Sequence, residues 1–109
     1  MSFASIPLSG VLPEQYAQLA LQAEALLDGE RDRIANAANL SALVYHALPD
    51  LNWVGFYFFD GTELVVGPFQ GKPACIRIPM GKGVCGTAAA TATADVSEPP
   101  RPSVVISRL

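Results

Sequence analysis

The chain has 109 residues, half of them apolar and 16% charged, with a formal net charge of −3 and a pI near 4.9. That composition is globular rather than disordered, and the length suits one small domain over residues 1–109. The seven Lys and Arg are scattered singly, which argues against a nucleic-acid partner, and no apolar run reaches the roughly 18 residues of a membrane span.

The N-terminus, MSFASIPLSG, lacks the basic region and long apolar core of a secretory leader, so the expected location is cytoplasmic. In a reducing compartment two cysteines are more often free or catalytic than a structural staple. Pro13 suits the first turn of a helix, where its missing N–H is no loss. From there to Leu27 apolar residues recur at three- and four-residue steps, and Asp28-Gly29 is the stop. A second helix is expected over Arg31 to Leu48, with Ile34, Ala37, Leu40, Leu43, Val44, Ala47 and Leu48 on its buried face, ended by Pro49-Asp50.

The pattern then turns aromatic and β-branched. Asn52 to Phe59 reads as a strand, Asp60-Gly61 as a hairpin turn, and Thr62 to Phe69 as the returning strand. Pro68 is expected to end the ladder or mark its edge. A third strand is expected at Ala74 to Ile78, a loop from Pro79 to Gly83, and a short helix from Cys85 or Gly86 through Ala90. Beyond Thr91 the chain is rich in proline with little periodicity, until Val104 to Leu109 offers one more strand.

Little of this composition carries chemistry by itself. His46 is the sole histidine and has no partners at ligand spacing, so no metal site is expected. The glycines of GKGVCG lack the Lys-Ser/Thr of a phosphate loop. Cys85, at an expected helix N-terminus with Lys82 nearby, could be held as a thiolate by the helix dipole and free N–H groups. It could equally be a small buried residue, and spacing alone favours that reading. Cys75, in a strand, reads as packing. Trp53 and Tyr57 share strand parity, so both face one side of the sheet, as core or as the floor of a pocket. Burial trends favour core.

The stretch from Asn52 to Thr91 also resembles the free methionine-(R)-sulfoxide reductases, a family of stand-alone GAF-domain enzymes. NWVGFY, LVVGPFQGKPAC and GKGVCGTAAA occur in order with the cysteine spacing kept, and the helix pair upstream fits as well, so the resemblance covers about residues 1–91. It implies an α+β GAF-like fold: a central antiparallel sheet with the N-terminal helices packed on one face and the C-terminal strands incomplete. It implies thiol-based reduction of free L-methionine-(R)-sulfoxide to methionine, with thioredoxin as electron donor and no cofactor. Cys85 and Cys75 fall on two family cysteines and are the catalytic candidates. Trp53 falls on a tryptophan that meets the substrate methyl group, and Tyr57 on the same pocket wall. Self-association into a homodimer stays open.

The resemblance stops at one point. Family members continue through F-P-G-H-I-A-C, whose cysteine is generally assigned the attack on substrate, and then to acidic residues that bind its amino group. Residues 92–109 contain neither and form a divergent tail, which has the look of a frameshift or a truncated or spliced product. Two alternatives to the reductase therefore stand: a GAF-type module that binds a small ligand without catalysis, and an unstable fragment.

Overall fold

The computed structural model describes residues 3–81 and the backbone of 103–108. Helix α1 spans Leu12–Leu27 with Pro13 in its first turn, and helix α2 spans Arg33–Ala47. The second helix starts later than the periodicity suggests, because Asp32 caps it. Its carboxylate accepts the Ala35 N–H at 2.8 Å, satisfying a donor that has no partner inside the helix. It ends at Ala47, because Pro49 crowds the residue before it, and Leu48 is extended at φ −101°, ψ 140°. Ahead of α1 the chain lies along the helix. The Gln22 amide both accepts from and donates to the backbone of Ile6, and Gln18 does the same with Ser9.

Strands β1 (Leu51–Phe59), β2 (Glu63–Gly71), β3 (Arg77–Pro79) and β4 (Ser103–Arg108) form an antiparallel sheet in the order β3-β2-β1-β4. The hairpin between β1 and β2 is closed by Asp60, whose Oδ1 accepts the N–H groups of Thr62 and Glu63, both at 2.9 Å. Arg77 on β3 then clamps the turn, donating to Asp60 at 3.1 Å and to Glu63 at 3.0 Å. The Glu63 and Thr62 amides, helped by Arg77, hold the Asp60 carboxyl below its ordinary value, and Glu63 and Asp60 hold the Arg77 guanidinium above its own.

Two irregularities set the faces of the sheet. Against β4, Leu51 pairs with Arg108 and Trp53 with Ser107, so Asn52 is one residue too many on β1. Leu51 and Val54 consequently turn to the same side. Against β2, Gly55 pairs with Phe69 and Tyr57 with Val66, so Gly67 and Pro68 together oppose Phe56. Pro68 thus occupies a bulge. It does not end the ladder, which continues to Gly71, but β3 has already stopped pairing with β2 before that point.

One face meets the helices. α2 lies on β1 and β2, and α1 packs on α2. Leu19, Leu43, Leu48, Leu51 and Val54 form the core between them. Ser41 sits fully buried in α2, its hydroxyl donating to the Ala37 carbonyl at 2.7 Å and lying 3.4 Å from the Pro68 carbonyl. Ile34 does not join the buried face. It is 54% exposed in the first turn of α2, where Arg33 reaches over the Phe58 ring instead, 4.7 Å from its centroid. The expected helix over 85–90, the loop before it from 82 onward and the tail up to 102 lie outside the described residues. Among the described residues no helix is long and apolar enough to cross a membrane.

Candidate functional site

The other face of the sheet is aromatic because β1 alternates. Trp53, Gly55, Tyr57 and Phe59 point away from the helices, and Tyr57 packs with Leu64, Val66, Ile78 and Met80. Tyr57 is 5% exposed, whereas Trp53 is half-buried. Their rings stack with centroids 5.9 Å apart, and Trp53 stacks on Phe69 of β2 at 5.3 Å. The three rings make one wall, a geometry that adds roughly 0.5–1.5 kcal/mol per pair beyond burial.

The wall needs two glycines. A Cβ on Gly55 would come within 2.6 Å of the Trp53 six-membered ring, and one on Gly71 within 2.9 Å of Cδ1 on its other side. The indole therefore lies flat along the strand in a slot that no other residue type would leave open. Gly71 also carries φ 126°, a backbone region that L-residues avoid.

Two hydrogen bonds tie the wall to the loop between β2 and β3. The Trp53 indole N–H donates to the Lys72 carbonyl at 3.2 Å, and the Tyr57 hydroxyl donates to the Cys75 carbonyl at 3.1 Å. The second bond explains why residues 74–76 are not the strand their sequence suggests. With its carbonyl taken by a side chain on the sheet face, Cys75 rides over the sheet. Pairing begins only where the Val66 N–H reaches the Ile76 carbonyl at 2.9 Å, and β3 itself is confined to Arg77–Pro79. Cys75 is consequently an exposed, free thiol rather than a packed strand residue.

Trp53, Tyr57 and Cys75 are thus brought together. Cys85 lies outside the described residues. Trp53 and Tyr57 divide the two readings between them: Tyr57 is core with a polar handle, and Trp53 offers an open edge. That edge borders a cleft of about 690 Å³, lined also by Tyr45, Asn52, Gln70 and the turn from Gly71 to Pro73. Phe69, Gly55, Gly71 and Lys72 were not singled out from the sequence. The usable signal was parity, since Gly55 lies midway between Trp53 and Tyr57 on the same face.

No family model matches the chain. Individual relatives do. The chain is 56% identical over 77 residues to the free methionine-R-sulfoxide reductase of Escherichia coli, a match covering 71% of this chain and 47% of that protein. Among solved structures, a putative GAF sensor protein from Burkholderia vietnamiensis is 71% identical with a TM-score of 0.73, covering 76% of this chain and 52% of that one. Free methionine-R-sulfoxide reductase from Neisseria meningitidis, solved in complex with its substrate, is 40% identical with a TM-score of 0.78, covering 84% and 55%. The chain spans about half the length of the relatives it matches. Over about 70% of its length the chain is similar in sequence to free methionine-R-sulfoxide reductases, and its fold is the α+β GAF fold of its structural neighbours.

Proposed function

We propose that this chain is a thiol-dependent reductase of free methionine-(R)-sulfoxide, working as one GAF-like domain in the cytoplasm. The observation that carries the reading is the stacked wall of Trp53, Tyr57 and Phe69, with the backbone of Cys75 fastened to it through the Tyr57 hydroxyl. An aromatic wall with one open edge suits a sulfoxide methyl group, and a free thiol on the loop beside it suits a resolving role. The relatives' activity supports the substrate class.

In this reading the Cys85 thiolate attacks the sulfoxide sulfur. Oxygen passes to the cysteine as a sulfenic acid, and methionine leaves with its sulfur reduced by two electrons. The Cys75 thiol condenses with the sulfenic acid, forming a disulfide and releasing water. A thioredoxin dithiol then reduces that disulfide by exchange. The cycle requires the two Cα atoms to come within roughly 4.4–6.8 Å of each other.

A second reading is favoured by the cysteine count. These 109 residues hold two cysteines, where the resemblance assigns the attack to a third, so the chain could bind the ligand without turning it over. One experiment separates the two. In a thioredoxin-coupled assay the wild type should release methionine continuously, Cys85→Ser should release none, and Cys75→Ser should stop after one equivalent. A wild type that binds the sulfoxide but releases no methionine establishes the binding module in place of the reductase.

A further inference from the structure

Residues 3–9 lie back along α1 as an arm that runs antiparallel to the helix, Ile6 meeting Gln22 and Ser9 meeting Gln18. No backbone-to-backbone hydrogen bond joins this arm to another described residue. Two side-chain amides take their place. Gln22 accepts the Ile6 N–H at 3.0 Å and donates to the Ile6 carbonyl at 2.9 Å. Gln18 binds Ser9 in the same two ways, at 3.1 and 2.8 Å. A carboxamide that pairs with both backbone groups of one residue imitates a neighbouring strand. Four positions apart, Gln18 and Gln22 share one face of α1 and hold the arm by its backbone, whatever side chains it carries.

The arm underfills the surface that holds it. Leu8 is its one partly buried residue and packs against the aliphatic core, while Phe3 is 42% and Ile6 69% exposed. Cavities of about 260 and 330 Å³ open between the arm and α2, and His46 borders both. A segment held by exposed hydrogen bonds and one apolar side chain belongs to the part of a fold that opens most easily. The arm turns into α1 at Gly10, whose φ of 89° is a region that L side chains avoid.

We infer that the glutamine face of α1 is a docking surface for an extended, uncharged segment, and that its occupant in trans is residues 3–9 of a second copy of this chain. The arm's own seat points to that occupant, because the backbone of Ile6 and Ser9 and the side chain of Leu8 already fit. Among the described residues, no Asp, Glu, Lys or Arg lies in the arm or lines either cavity, so nothing there repels a second copy. Reciprocal exchange reproduces the same contacts twice and closes as a two-fold dimer. An arm tethered beside its own helix has the higher effective concentration, so the wild type stays closed and monomeric in dilute solution. The surface belongs to the helical layer, across the sheet from the aromatic wall, so docking and reductase chemistry are tested separately.

Gly10 sets the balance. In Gly10→Val the arm cannot turn back without strain in φ, although the Glu14 carboxylate that the new Cβ would meet can swing aside. The mass of the full chain is followed by light scattering against concentration. G10V should be a dimer at concentrations where the wild type is a monomer. Adding Q18M and Q22M, which keep the side-chain length but cannot pair with a backbone, should return it to monomer. A second measurement leaves Gly10 alone and decides the matter if G10V does not fold. Leu8→Asp expels the arm, so a fluorescent peptide of residues 3–10 should bind L8D roughly tenfold more tightly than it binds the wild type. The same peptide carrying Asp at position 8 should not bind. A folded G10V that stays monomeric, a G10V dimer that survives Q18M and Q22M, or a peptide that binds L8D no better than wild type overturns the inference.

Discussion

The two faces of the sheet are built on different principles. The helix-covered face is held by aliphatic burial: Leu19, Leu43, Leu51 and Val54 interlock without directional bonds, and the one buried polar side chain among the described residues, Ser41, is satisfied inside its own helix. The open face is held by position. Its rings stack over glycine slots and are tied by N–H and O–H donors to two carbonyls of a single loop. The first face can absorb a change of shape at the cost of stability. The second loses its geometry before it loses much stability, which is what a binding surface requires.

The contrast can be broken from either side. The largest effect is expected from Leu43→Ala, which removes a buried side chain from the helix face and should cost about 2–5 kcal/mol in denaturant unfolding while leaving the wavelength of Trp53 emission unchanged. Gly55→Val should cost about 1–3 kcal/mol, because the new side chain displaces the indole. Here the emission of Trp53 should shift and its response to ligand should vanish. Tyr57→Phe should cost about 1 kcal/mol and free the Cys75 loop. Cys75 should then react faster with a thiol reagent and the amides of Ala74, Cys75 and Ile76 should exchange faster. Arg33→Ala should cost at most about 1 kcal/mol, because it removes only the cation over Phe58 on the partly open rim of the helix face.

Acid provides the finest test. The Asp60 carboxyl is held below its ordinary value by the turn amides and Arg77, so its contribution is fully present above that ordinary value, 3.8, and fades as pH falls through the lower folded value. Thermal unfolding followed downward from pH 5 should show a decline in the wild type that is shallower in Asp60→Asn. The stacked wall, which carries no titrating group in this range, should survive until the hairpin opens.

The helices and the hairpin were legible because their signals are local. Pro13, Pro49 and Asp60-Gly61 act within a few residues of themselves, and the structure moves the predicted boundaries only where a cap or a pre-proline residue intervenes. Strand parity was legible too, and it placed Trp53 and Tyr57 on one side. Features that depend on register were not. Nothing in the order of residues distinguishes Asn52 as surplus on β1, or sets Gly67 and Pro68 against Phe56, because those facts belong to the pairing of separate segments. The third strand was misread for a related reason: residues 74–76 have strand composition, but a phenol from β1 claims the Cys75 carbonyl.

The surplus residue at Asn52 is what lets Leu51 and Trp53, two positions apart, face opposite sides of the sheet. Upstream of it Leu51 anchors the helices, and immediately downstream Trp53 looks the opposite way. Excising Asn52 would make Leu51 and Trp53 neighbours in a regular strand, where alternation still sends them to opposite faces, so both would keep their sides while the bulge closes. Loss of Asn52 should therefore leave the aliphatic core and the aromatic wall on their present faces.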